Sequence, residues 1–149
     1  MNLVFVCTGN TCRSPMAAAV AMDKMARDPD RYRDLALVSC GLFAPPGAPI
    51  SAGAADALAR HGLSAGDHQA RQLTPDHVAA ADLIVTMTGS QAAQLKAAFP
   101  KAGDKIRPLA AWDIRDPFGG DADDYEEAYQ DIDRAVEALL EEIAKEDAS

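Results

Sequence analysis

No stretch of this chain approaches the ~20 consecutive apolar residues that a membrane-spanning helix needs. The N-terminus, MNLVFV, has no basic region and only a short apolar run, so no secretory leader is expected. Cysteine is scarce: three in 149 residues, too few and of the wrong parity for a disulfide scaffold, which points to reduced thiols in the cytoplasm. No cysteine pair accompanies His61, His68 and His77, which fall on three separate segments at irregular spacings, so neither a metal site nor a cofactor is expected. Basic residues are also short, 14 against 23 acidic for a net charge of −9, which argues against a nucleic-acid footprint. Repeats and low-complexity linkers are absent, and the Pro/Gly-rich APPGAP, Ala44 to Pro49, is too short to divide domains. With 48% hydrophobic residues, the expectation is one monomeric domain over residues 1–149 with a sizeable core.

What the chain does have is alternation. Leu3 to Val6 reads as a buried strand, Ser14-Pro15 as the cap and first turn of a helix to about Met25, and Leu35 to Ser39 as a second strand. Ser51 can cap a helix to His61, ended by Gly62, and Thr74-Pro75 can open a short one before the strand Leu83 to Met87. Ser90 then reads as the cap of a helix to Phe99, and Lys105 to Leu109 as a fourth strand. Tyr125, Tyr129, Ile132, Val136, Leu139 and Ile143 recur at spacings of three and four, an amphipathic helix of about five turns. This last region is the acidic one: 13 acidic and two basic residues lie between Asp116 and Ser149, read as a solvated face. Strands alternating with helices imply a parallel sheet covered on both sides, an α/β three-layer sandwich whose ligands bind beyond the carboxyl ends of the strands. Cys7 and Asp116 both fall on that rim.

Cys7 ends the first strand and opens a loop, Thr8, Gly9, Asn10, Thr11 and Cys12, that closes on Arg13 and Ser14. A loop this short turns several backbone N–H groups inward, and the following helix adds its positive N-terminal end. An arginine beside it offers paired hydrogen bonds to two phosphate oxygens. The guest of such a cradle is phosphate or another tetrahedral anion. A cysteine at its base is expected to favour the thiolate, its pKa falling from ~8.5 into a range of roughly 3.5 to 7.5, which makes it a nucleophile without a histidine base. Ser14 can donate to that sulfur, and Asn10 can pin the loop through its amide. No glycine-lysine-serine ending is present, so a Walker-type nucleotide loop is excluded.

The pattern C-x5-R-S, embedded in VCTGNTCRSP, resembles the signature of low-molecular-weight protein-tyrosine phosphatases. The resemblance runs over nearly the whole chain: Ser39 to Gly41 with the Pro/Gly loop after it, HQARQLT (His68 to Thr74), DLIVTM (Asp82 to Met87) and DPFGG (Asp116 to Gly120). It implies a four-stranded parallel sheet in the order 2-1-3-4 and a cysteinyl-phosphate intermediate. It also implies Cys7 as nucleophile, Arg13 as phosphate ligand and Asp116 as the acid that protonates the leaving group. The chemistry asks for such an acid independently, since a positioned one contributes roughly 10²- to 10⁴-fold, and the same carboxyl can later activate water.

Thr11 refines the substrate. Tyrosine-directed members carry a larger apolar residue there, whereas GNTCRS resembles the protein-arginine-phosphatase branch, so phosphoarginine is preferred over phosphotyrosine on a protein substrate. The acidic Asp121, Asp123 and Asp124 suit a guanidinium, while Phe118 can flank the entrance for either substrate. Cys12 is a candidate resolving thiol for an oxidised Cys7, or else a small loop-packing side chain. Cys40 reads as core, His68 as a residue that caps or packs a loop, and Tyr125 and Tyr129 as core, with Tyr125, near the acid loop, also able to reach the pocket rim or accept a regulatory phosphate. An arsenate reductase on the same scaffold needs a distal cysteine pair that the chain lacks; a non-catalytic binding module needs none of Cys7, Arg13 and Asp116, all of which are present.

Overall fold

A computed structural model describes residues 1–148. Four parallel strands form one sheet in the order β2-β1-β3-β4: β1 Asn2–Cys7, β2 Ala36–Gly41, β3 Leu83–Thr86 and β4 Ile106–Pro108. In β1, the central strand, Leu3 to Cys7 are all buried, because helices cover both faces and the strand must be apolar on each. Alternate residues separate into two cores. Leu3, Phe5 and Cys7 face Met16, Val20, Leu58, Ile132 and Leu140; Val4, Val6 and Ile84 face Val78 and Leu95 on the other side. The expected three-layer sandwich and strand order are those observed.

The helices are α1 Arg13–Arg27, α2 Ala52–Arg60, α3 Pro75–Ala80, α4 Gly89–Ala98 and α5 Ala122–Ala148. Ser51 caps α2 by accepting the Ala54 N–H at 3.3 Å, and Gly62, at φ 74°, follows its end in a left-handed turn. Two expected caps are corrected. Helix α4 starts at Thr88 and not Ser90, because Thr88 and Gln91 cap one another's backbone reciprocally, whereas three residues beyond Ser90 stands Ala93. Helix α1 begins one residue before Ser14, after Cys12, which makes no side-chain cap bond. The fourth strand is also shorter than expected, three residues preceded by a 3-10 turn over Pro100–Lys105.

Helix α5 is longer than five turns, at 27 residues, and opens with reciprocal bonds in which Asp121 and Asp124 each accept the other's backbone N–H, at 3.0 and 3.1 Å. Its acidic face is not simply solvated. Lys24 of α1 lies 3.0 Å from Asp133 and 2.7 Å from Glu137, Arg31 lies 2.9 Å from Glu141, and Arg107 of β4 lies 2.7 Å from Glu142. The uneven charge along the sequence is a set of cross-element pairs in the fold.

Candidate active site

The loop between Cys7 and Arg13 joins the carboxyl end of β1 to the amino end of α1. Its turn rests on Asn10, the one non-glycine residue with positive φ among the described residues, at 56°. Asparagine tolerates this left-handed conformation better than most side chains. Every polar atom of Asn10, which is wholly buried, is engaged. Its backbone N–H donates to Cys7 Sγ at 3.3 Å, and its amide nitrogen donates to Ser14 Oγ at 2.8 Å and Ser39 Oγ at 3.0 Å. Its amide oxygen accepts the Arg71 N–H at 2.8 Å and its carbonyl accepts from His68 Nε2 at 2.7 Å. Ser14 Oγ accepts from Asn10, lies 3.0 Å from Cys7 Sγ in a contact that either atom can donate, and is 3.4 Å from the Cys40 carbonyl, to which it can donate. A backbone N–H and a hydroxyl therefore converge on one sulfur. The uncapped first turn of α1 leaves its backbone N–H groups open to a guest.

Arg13 is buried, and its Nη1 donates to the Ile114 carbonyl at 3.0 Å while Nη2 lies 3.6 Å from Asp116 Oδ2. The Asp116 side chain is 54% exposed. Its other oxygen accepts the Phe118 N–H at 3.1 Å, and the Gly120 N–H closes the turn on the Pro117 carbonyl at 2.8 Å. Gly119 sits at φ 81°, where a side chain is disfavoured. A cavity of about 210 Å³ is lined by Cys7, Thr8, Gly9, Thr11, Cys12, Arg13, Asp116 and Phe118. The nucleophile, loop, arginine, acid and Phe118 selected from the sequence are thus either on this cavity or, like Asn10 and Ser14, directly behind it, whereas Asp121, Asp123 and Asp124 do not line it, Asp121 and Asp124 being engaged at the start of α5. A larger cavity of about 760 Å³ lies between α1, β2 and the segment 62–71, but it includes no residue of the Cys7–Arg13 loop. Size alone does not mark the site.

Several supporting groups escaped the sequence reading. Gln91 accepts the Met87 N–H at 2.9 Å and donates to Thr8 Oγ1 at 3.1 Å, linking β3 to the loop. Thr88 followed by Gln91 is a readable capping pair, but its reach to Thr8 is not. The carbonyl of Ile114 that orients Arg13 has no side-chain signature at all. Cys12 Sγ lies 3.1 Å from Ser51 Oγ and 3.9 Å from the Tyr125 hydroxyl, so Tyr125 reaches the back of the loop as well as the core. Burial pushes the Tyr125 phenol up, and the adjacent Ser51 hydroxyl only partly offsets it. All three cysteines are free thiols. Cys40 is core, its pKa pushed up to about 11 by burial. The histidines go separate ways: His61 stacks on Tyr129, His68 holds Asn10, and His77 closes the cap of α3 on Thr74.

This fold, with a loop of this shape at the end of its first strand, defines a cysteine-dependent phosphatase. The family model described as "Low molecular weight phosphotyrosine protein phosphatase" matches residues 2–149, and the chain belongs to that family. It is 34% identical to a protein-arginine-phosphatase of Geobacillus stearothermophilus, the match covering 97% of each chain. It is also 34% identical to a probable low molecular weight protein-tyrosine-phosphatase, EpsP, of Ralstonia nicotianae, covering 95% of each. Among solved structures it resembles the YwlE arginine phosphatase in a mutant with a phosphorylated active-site serine, at 30% identity and a TM-score of 0.90 over 97% of both chains.

Proposed function

We propose that the protein is a protein-arginine phosphatase, working as a monomeric single domain in the cytoplasm on phosphorylated protein substrates. The phosphoryl group sits in the Cys7–Arg13 loop, its oxygens held by backbone N–H groups of the loop other than that of Asn10, which faces the sulfur, and by the Arg13 guanidinium. Cys7 Sγ attacks phosphorus as the thiolate, with Asn10 N–H and Ser14 Oγ stabilising the sulfur that leaves again in the second step. The P–N bond breaks, and the departing guanidine takes a proton from Asp116. Asp116, now a carboxylate, removes a proton from the water that hydrolyses the cysteinyl-phosphate. No cofactor enters either step.

The observation that carries the choice of substrate is Thr11 on the cavity wall beside Asp116 and Phe118. A β-branched hydroxyl narrows the space for an aryl ring and offers a polar partner to a guanidinium. The similarity to a protein-arginine-phosphatase supports this reading, and the equal identity to a protein-tyrosine-phosphatase supports the alternative, phosphotyrosine on the same machinery. Turnover of matched phosphoarginine and phosphotyrosine peptides decides between them. Wild type is expected to favour phosphoarginine, and Thr11→Ile to move the ratio toward phosphotyrosine by about tenfold or more, a difference of roughly 1.4 kcal/mol in transition-state binding. An unchanged ratio in Thr11→Ile removes Thr11 from the account. An arsenate reductase on this scaffold needs a distal cysteine pair, and the one cysteine beyond the loop, Cys40, is buried.

Cys12 lines the same cavity, and we assign it the resolving role. Peroxide oxidises the Cys7 thiolate to sulfenic acid; Cys12 sulfur then attacks it, water leaves, and a Cys7–Cys12 disulfide forms. Peroxide treatment of wild type is expected to be reversed by a dithiol. In Cys12→Ser the sulfenic acid stays open to a second peroxide, which takes it to the sulfinic acid, so the fraction of activity that a dithiol recovers is expected to fall as peroxide is raised.

A further inference from the structure

Nothing in the arrangement of nucleophile, arginine and carboxyl accounts for Tyr125. The residue is buried, and its hydroxyl lies 3.9 Å from Cys12 Sγ, the sulfur that the Ser51 hydroxyl also meets behind the phosphate loop. Its ring lies over Gly53, where a Cβ would overlap it, so the second position of α2 must stay bare to admit the ring. Ser51 in turn donates its N–H to the Thr11 carbonyl at 2.8 Å while its hydroxyl meets Cys12 Sγ. Tyr125 therefore ends in a knot of hydroxyls and thiol that grips two consecutive residues of the loop.

The same tyrosine closely follows Asp116 in the chain, and the segment between them is fixed at each step. Phe118 N–H bonds to Asp116 Oδ1, Gly120 N–H to the Pro117 carbonyl, Asp121 and Asp124 to each other, and Tyr125 N–H to the Asp121 carbonyl at 3.2 Å. A loop tied in this way to the first turn of α5 moves with that turn. Tyr125 is the side chain that joins the turn to the phosphate loop.

We propose that Tyr125 is a positioning residue, whose hydroxyl holds the Asp116 loop in register with the phosphate loop so that the carboxyl stays at the cavity beside Arg13. The proposal rests on the acid role given to Asp116 above. In the step concerned, the S–P bond to Cys7 forms as the bond from phosphorus to the leaving atom breaks; that atom keeps the electron pair and takes the Asp116 proton. Tyr125 touches none of these atoms. Losing its hydroxyl leaves the ring over Gly53 and the anion cradle in place but loosens the carboxyl, and a displacement of about 1 Å can cost up to 10²-fold. The cost grows with the basicity of the leaving group, since only a poor leaving group depends on the proton.

The test compares Tyr125→Phe with Asp116→Asn, reading kcat/KM across aryl phosphates of graded leaving-group basicity, with inhibition by inorganic phosphate reporting the cradle. Asp116→Asn is expected to steepen the dependence on leaving group. Tyr125→Phe is expected to steepen it in the same sense but less, losing about fivefold or more on the most basic leaving groups and under twofold on the most activated, with phosphate inhibition unchanged. Ser51→Ala, which removes the partner of the phenol, is expected to follow Tyr125→Phe and decides the matter if that variant melts early. A steep Asp116→Asn series beside flat or uniformly lowered Tyr125→Phe and Ser51→Ala series overturns the proposal alone. A flat Asp116→Asn series removes the acid role, and this proposal with it.

Discussion

Asn10 is the residue on which the site's geometry turns. It supplies a left-handed backbone, an N–H donor to Cys7 Sγ and four further bonds through its amide and its carbonyl. Asn10→Ala loses the amide bonds and places a Cβ without compensation in a conformation that costs about 1 kcal/mol. It is expected to lower stability by about 2 to 4 kcal/mol, read from urea unfolding, and kcat/KM by 10²-fold or more. At this scale the sequence was legible where the groups are close in the chain: Cys7, Arg13, Ser14 and Asn10 belong to one short motif whose chemistry constrains each member. Gln91, Ser39 and the Ile114 carbonyl were not, because each reaches the loop from a remote segment; His68 was legible only as a residue that caps or packs a loop, not as the partner of Asn10. A backbone carbonyl carries no residue type to read.

At the level of elements, α5 carries much of what periodicity could not foresee. The apolar stripe was visible, and so was the excess of acid, but the pairing of that acid with Lys24, Arg31 and Arg107 depends on which helix and strand edge lie alongside. Hydrogen bonds from Arg31 and Arg107 hold the Glu141 and Glu142 carboxyls below the usual range. Because their folded-state values are depressed, these groups stabilise the fold above the unfolded glutamate value of ~4.3, and that contribution is lost as pH falls through the lower folded values. Melting temperature is therefore expected to drop more steeply below about pH 4.5 in wild type than in Glu141→Gln/Glu142→Gln. Exposure and salt screening keep the difference to a few degrees at most. The α2–α5 contact is less forgiving. Gly53→Ala drives a Cβ into the Tyr125 ring and is expected to cost about 1 to 3 kcal/mol, measured as a fall in the urea midpoint at unchanged slope.

For the molecule as a whole, strand order and layering were legible because alternating strand and helix patterns leave few ways to bury both faces of one sheet. The sequence reading misjudged boundaries where local chemistry offered two answers, as at Thr88 and Ser90, or where function displaced a cap, as at Cys12. That second departure is informative: the start of α1, beneath a free cysteine, carries no side-chain cap, as the proposed phosphate cradle requires. The proposed reaction requires phosphate to pass through Cys7. The most direct measurement is rapid acid quench of the enzyme during turnover of a phosphoarginine peptide, followed by mass analysis of the fragment containing Cys7. A phosphoryl group on Cys7 is predicted, appearing during turnover and decaying as the substrate is exhausted. Turnover with no phosphate on Cys7, or phosphate found on another residue, would contradict it.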